Sequence, residues 1–193
     1  YGVSRAWCCT AIGLSALYMS MQNQLVYQDA LTGIYNRHYL NTLLCSREWT
    51  HGSRHSGIMI DMDDFKDIND RYGHSTGDEA LRDTARLLRE ASPENSIPIR
   101  FAGDEFILLL MMDREEKIVR VEAAIREAAA AFNQTSGKPY QIGLSMGHAV
   151  FDPRTSTSDK FLEAIDHAMY RDKQARRASG LLKERRRDQA LQA

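Results

Sequence analysis

The sequence predicts a single α/β domain built on a mixed or largely antiparallel sheet, and three observations carry that prediction. Short apolar runs of strand length alternate with segments whose apolar residues recur at helical spacing. A tight hairpin, "IPIRFAGDEFILLLMM" (97–112), joins two of the strands directly in the middle of the chain. The length of 193 residues suits one domain with a proper core and a short appendage.

Each element has its own warrant. "DALTGIYNR" (29–37) is a turn-rich joint, and a helix is expected through "RHYLNTLLCSREW". "SGIMIDMDDF" (56–65) is a short buried strand ending in acids, followed by an expected polar loop, "KDINDRYGHSTG". From Asp78 a helix is expected with Leu81, Ala85 and Leu88 on one face. The hairpin follows, with Pro98 near a strand start, where proline is tolerated. Ile118, Val121, Ile125, Ala128 and Phe132 mark a helix over 114–132, and "YQIGLSMGHAVF" (140–151) reads as a strand. A last helix over 159–177 buries Phe161, Leu162, Ile165, Ala168 and Met169, and the rest of the chain is polar and basic.

Composition narrows the function. Hydrophobic content of 43% and charged content of 26% are ordinary for a soluble globular chain. A net charge of −1 provides no broad basic field, so no nucleic-acid partner is expected and any anion site is local. Cys8, Cys9 and Cys45 form neither a metal-spaced set nor an even disulfide framework, which fits a reducing cytosol. A chain opening at Tyr1 is expected to be a piece of a longer protein. No charge occurs between Arg5 and Asp29, and "AWCCTAIGLSALYM" is strongly apolar but shorter than the ~20 residues of a membrane span. Trp7, Ala11, Leu14, Tyr18, Met21 and Leu25 follow a coiled-coil spacing. The end of a membrane helix, a dimerising stalk and a terminal helix packed on the domain all fit this segment.

Two acidic strand ends carry the chemistry. Asp61, Asp63 and Asp64 close one strand, and Asp104 with Glu105 occupy the hairpin turn. On neighbouring strands these carboxylates would converge on one sheet edge and suit Mg²⁺, which takes one or two carboxylates, water and phosphate oxygens. Solvated acidic turns are the plainer reading. Lys173 and Arg177, i and i+4 on the last helix, share a face and suit either a polyphosphate or plain solvent. Asn69 and Asp78 together match the edges of guanine, and Asp78 equally fits a helix cap.

Taken together, "DALTGIYNR", "IDMDDFKDINDRYGHSTGDEAL", "RFAGDEF", "SMGHAV" and "AIDHAMYRDK", in that order, resemble the GGDEF domain of the diguanylate cyclase family over about residues 29–177. The resemblance implies a palm-like nucleotidyl-cyclase fold, with a central antiparallel-rich sheet flanked by helices. The division it implies is a stalk over 1–28, a catalytic domain over 29–178 and a basic tail over 179–193. It implies an enzyme that condenses two GTP into cyclic di-GMP, each GTP held by one of two facing copies, with Mg²⁺ (or Mn²⁺) as cofactor. Asp61 and Asp104 would be metal ligands, with the backbone carbonyl of Met62. Asn69 and Asp78 would recognise guanine; Phe65, Lys66, Gly103, Lys173 and Arg177 would line the phosphates. Glu105 would stand near the reacting ribose, with Asp104 and Lys173 completing the catalytic set; either Glu105 or a metal-activated hydroxyl serves as base. An upstream sensor region is implied, with the domain itself in the cytoplasm of a sensor-linked, often membrane-bound, bacterial protein.

Three departures bear on that expectation. Ala102 stands where the signature has its first glycine, at little cost if the turn uses negative φ and on the order of 1–2 kcal/mol if it needs positive φ. Its methyl could also crowd the nucleotide where glycine permits close backbone approach. "PENS" (93–96) replaces the RxxD motif that binds product, so no inhibition is expected through that site. Arg176 occupies a position where the family often has glycine. A silent domain that binds GTP and regulates a neighbour is the alternative, and Ala102 is its support.

Overall fold

The computed structural model describes residues 13–14, 26–47, 49 and 54–180. The apolar stalk seam over 7–25, apart from Leu14, and the basic tail lie outside the described residues. Among the described residues no helix is long and apolar enough to cross a membrane.

The chain runs β1 (Tyr35–Asn36), α1 (Arg37–Leu44), β2 (His55–Met62), α2 (Phe65–Tyr72), α3 (His74–Ala91), β3 (Ile97–Ala102), β4 (Glu105–Leu110), α4 (Glu115–Thr135), β5 (Leu144–Phe151) and α5 (Ser158–Ala178). The five strands form one sheet in the order β1-β3-β4-β2-β5. Only the short β1–β3 pair is parallel; the other pairs are antiparallel. The expected antiparallel-rich sheet flanked by helices is therefore present.

Position in the sheet explains the β2 sequence. This strand lies between β4 and β5, and all eight of its residues are buried, so it reads as a nearly continuous apolar run. Its alternation sorts two cores. Ile58, Ile60 and Met62 join Leu81, Leu88, Leu108 and Ile125 on the α3–α4 side. Met59 joins Ile107, Leu109, Phe161, Ile165 and Met169 on the other side, where α1 and α5 lie. Asp61 shares the parity of Met59 and so emerges toward α5. At Gly147 on β5, an added Cβ would lie 2.0 Å from the Met169 amide nitrogen and 2.2 Å from the Ala168 carbonyl carbon. The missing side chain lets the α5 backbone press directly onto the sheet.

Two expectations need correction. The first helix ends at Leu44 rather than running through Trp49. A turn at Cys45 and Ser46 interrupts the helix, residues 47 and 49 are helical again, and the Ser46 hydroxyl accepts from the Trp49 amide at 3.2 Å as a cap does. Trp49 then turns inward and stacks on His55 and Phe151. The second correction concerns 66–77, expected as a loop: it holds α2 and the first turn of α3. Polar composition hid α2 because only Ile68 is buried, and Gly73, at φ 84°, makes the break between the helices. The second helix thus starts at His74, with Gly73 at its cap position, and Asp78 is not a cap.

Candidate active site

The two acidic strand ends meet. β2 and β4 pair with Asp61 directly opposite Glu105, and on the other flank Asp61 faces Ser145 of β5. The Met62 amide donates to the Asp104 carbonyl at 3.1 Å, fixing the hairpin turn against the end of β2. Asp61 is 6% exposed, and the Lys173 ammonium donates to its Oδ1 at 2.5 Å. Burial pushes the Asp61 carboxyl up; Lys173 pulls it down, and the Asp104 and Asp63 charges push it up again. The net direction is upward, with burial as the largest cause. Glu105 is raised as well, by burial first and then by Asp61, Asp104 and Asp166.

The hairpin geometry answers the backbone question posed by Ala102. Gly103 takes the positive φ of the turn, at 31°, and Asp64 is the one non-glycine residue with positive φ among the described residues. Ala102 is exposed, ends β3 and adopts ordinary backbone angles. Its methyl brings no backbone strain. A register shift between Arg100 and Ala102 marks a bulge that bends β3 into the turn.

The residues expected to hold a nucleotide stand along α2 and α3. Phe65 and Lys66 open α2, and its cap residue Asp64 makes no side-chain cap bond, so the chain itself leaves that helix start uncapped. Asn69 lies one turn further, about 6 Å along the axis. Its amide rests against Gly77, where an added Cβ would sit 2.0 Å from Asn69 Oδ1. Asp78 follows Gly77, half-buried in the second turn of α3. Arg177 is half-buried one turn beyond Lys173 on α5. Lys173 is thus with the carboxylates, bound to Asp61.

Three sets of contacts were not foreseen from the sequence, although Asp63 itself belongs to the acidic strand end read there. Asp63, with a side chain 3% exposed, accepts from the Ser145 hydroxyl at 2.5 Å and pairs with Arg176 at 3.1 Å. Arg100 donates through Nε and Nη2 to the Gly103 carbonyl, at 3.0 and 2.8 Å, and through Nη1 to Asp29, at 3.1 Å. Asp29 also accepts from the Thr32 amide and hydroxyl. Burial pushes the Asp29 carboxyl up, but the Thr32 and Arg100 bonds outweigh it and hold it below its ordinary value. The joint "DALTG" is thereby clamped to the turn that carries Asp104. Asp166, two turns before Lys173, adds its charge at Glu105. The strand alternation and the helical spacing could have flagged Asp166, whereas the Arg100 and Arg176 contacts span 71 and 113 residues of sequence and leave no local trace.

The donor set fits a hard divalent cation. Two carboxylates and one main-chain carbonyl leave coordination positions for water and phosphate oxygens, as Mg²⁺ prefers. Among the described residues no group of three His, Cys, Asp or Glu side chains is placed to hold a metal ion. Lys173 at Asp61 supplies the positive charge that this position attracts.

Comparison with known proteins agrees with this geometry. The family profile described as "Diguanylate cyclase, GGDEF domain" matches residues 26–179. The diguanylate cyclase DosC of Escherichia coli K12 is 31% identical over 163 residues, covering 81% of this chain and 35% of DosC. The chain thus spans about a third of that relative's length. The diguanylate cyclase SiaD of Pseudomonas aeruginosa, solved with its activator SiaC, superposes with TM-score 0.75 at 26% identity, covering 90% of this chain and 67% of SiaD. A sensory box/GGDEF family protein of Caulobacter crescentus CB15 superposes with TM-score 0.66 at 32% identity, covering 77% of this chain and 99% of the other. With the acidic turns joined at one edge and the profile matched across the whole sheet, this chain belongs to the GGDEF domain family of diguanylate cyclases.

Proposed function

We propose that this domain condenses two GTP into cyclic di-GMP, as one half of a pair of facing copies. The supporting observation is the meeting of Asp61, Asp104, Glu105 and Lys173 at one sheet edge, beside an uncapped helix start that leads to Asn69 and Asp78. In this reading the uncapped start of α2, with Phe65 and Lys66, receives the triphosphate. Asp78 accepts the guanine N1 and N2 protons, Asn69 completes the base contact, and Gly77 keeps room for the Asn69 amide. Retention of Asp78 favours guanine over adenine.

Asp61, Asp104 and the Met62 carbonyl would hold Mg²⁺, which when bound neutralises phosphate charge and polarises the α-phosphorus. Lys173 exchanges Asp61 for phosphate oxygens, and Arg177, one turn further on, steadies the same group. Gly103 lets the turn approach the nucleotide. Glu105, raised by burial and neighbouring carboxylates, is placed to hold the proton of the attacking 3′-hydroxyl. Each attack forms one phosphodiester bond and expels one pyrophosphate, so two attacks across the pair close the ring. Such transfer rests mainly on positioning and charge neutralisation. One domain holds one GTP, so pairing through the stalk, under an upstream sensor, would set the rate.

The silent-domain alternative rests on Ala102; the ordinary backbone angles there weigh against strain, and turnover decides whether the methyl crowds the nucleotide. Pyrophosphate release tests the reading. Domains paired through a fused coiled coil should release one pyrophosphate per GTP with Mg²⁺ and close to none from ATP. GTP bound tightly without pyrophosphate release would make this a regulatory domain.

A further inference from the structure

We propose that Arg176 is a positioning residue that locks the β2–α2 turn into the shape that receives the triphosphate. The inference rests on the reading of that turn as a nucleotide site. It begins with a backbone angle. Asp64, between the metal-site strand and the first residue of α2, has φ 53°, a left-handed conformation that aspartate tolerates better than most side chains and that its neighbours here hold in place. That hold comes through Asp63. Its amide donates to the Gly143 carbonyl at 2.9 Å, its Oδ1 accepts from Ser145 at 2.5 Å, and its Oδ2 accepts from Arg176 Nε at 3.2 Å and is ion-paired with Nη2 at 3.1 Å.

Arg176 contributes what the other two ties do not. Gly143 and Ser145 belong to β5 and the chain leading to it, so they hold the turn to the sheet. Arg176 holds it to α5, the helix that carries Lys173 and Arg177. Two ion pairs run side by side, Lys173 to Asp61 and, one turn on, Arg176 to Asp63. When GTP draws Lys173 away from Asp61, the Arg176 pair is the tie that remains between helix and turn. Asp63 is nearly sealed from solvent, and its carboxylate needs that partner. Glycine at this position would supply no such tie, so the lock is a feature of this chain's own sequence.

The test separates position from stability. Binding of 3′-deoxy-GTP, which lacks the attacking hydroxyl, is measured with Mg²⁺ by calorimetry, together with amide exchange over residues 63–66. Arg176→Gln should weaken binding about tenfold, speed exchange over 63–66 by a similar factor and leave kcat of paired domains within about threefold. Arg176→Lys, which keeps the charge, should recover most of the affinity. Should Arg176→Gln fail to fold, Arg176→Gln with Asp63→Asn leaves no unpaired buried charge and should show the same loss of affinity. Binding within twofold of the parent in Arg176→Gln, or in the double variant where the single one does not fold, would overturn the lock alone. A parent that binds no guanine nucleotide would overturn the nucleotide site and the lock with it.

Discussion

Asp104 sits where three constraints meet: a glycine with positive φ before it, a main-chain bond to the end of β2, and the nearby charge of Asp61. Asp104→Ala should lower turnover by a factor on the order of 10²–10³, with little change in melting temperature, because the turn is held by main chain and by Arg100. Ala102→Gly should leave kcat/KM within about twofold, since no backbone strain awaits relief. Gly77→Ala should do more harm than its size implies. The methyl would displace the Asn69 amide, and KM for GTP should rise about tenfold while helix α3 gains slightly in stability. At this scale the sequence showed the candidate site well. Asp61, Asp104 and Glu105 were visible because apolar strands end in acids, and β2–β4 pairing then brought them together. The Arg100–Asp29 and Arg176–Asp63 pairs were not visible, because nothing local marks a contact that spans 71 or 113 residues.

Between elements, close approach and charge do the positioning. Helix α5 carries Lys173, Arg176 and Arg177, and its height above the sheet is set where Gly147 meets the backbone at Ala168 and Met169. Gly147→Ala should destabilise the domain by about 1–3 kcal/mol, seen as a lower urea midpoint with an unchanged slope, because the obstacle is backbone rather than a side-chain tip. On the face of β5 toward α4, His148 bridges Glu122 at 2.9 Å and Glu115 at 2.7 Å. Burial lowers its proton affinity, but the two carboxylates outweigh burial and raise it. A raised folded value means that this bridge contributes fully below the ordinary histidine value of about 6.5 and is lost as pH rises through the raised one. The melting temperature should therefore fall over that window in the parent and stay flatter in His148→Gln. Elements with a clean period, such as α4, α5 and the β3–β4 hairpin, were legible. Helix α2 was missed because it buries one residue of eight and shows no apolar stripe, and α1 was overextended because a turn at Cys45 and Ser46 interrupts it.

At the scale of the whole molecule, the site is half of what the proposed reaction needs. The last described turn before the domain is bound to it: Asn36 donates to the Val26 and Gln28 carbonyls at 2.9 and 3.1 Å while its Oδ1 caps α1, and Tyr27 stacks on His38. Motion arriving through this segment would pass by Asp29 and Arg100 to the Asp104 turn. Feedback at the position of the RxxD motif is absent from the account, because Pro93 to Ser96 form a tight turn presenting Glu94 to an anionic product. Adding cyclic di-GMP should therefore produce only competitive inhibition against GTP. The most direct test of the central claim separates the products made from GTP and Mg²⁺ by domains paired through a fused coiled coil, beside unfused domains at the same dilute concentration. The expected result is cyclic di-GMP from the paired domains, far less from the unfused ones, and a yield from paired Asp104→Ala lower than the parent's by a factor on the order of 10²–10³. Folded, paired domains that bind GTP and yield no cyclic di-GMP would contradict it.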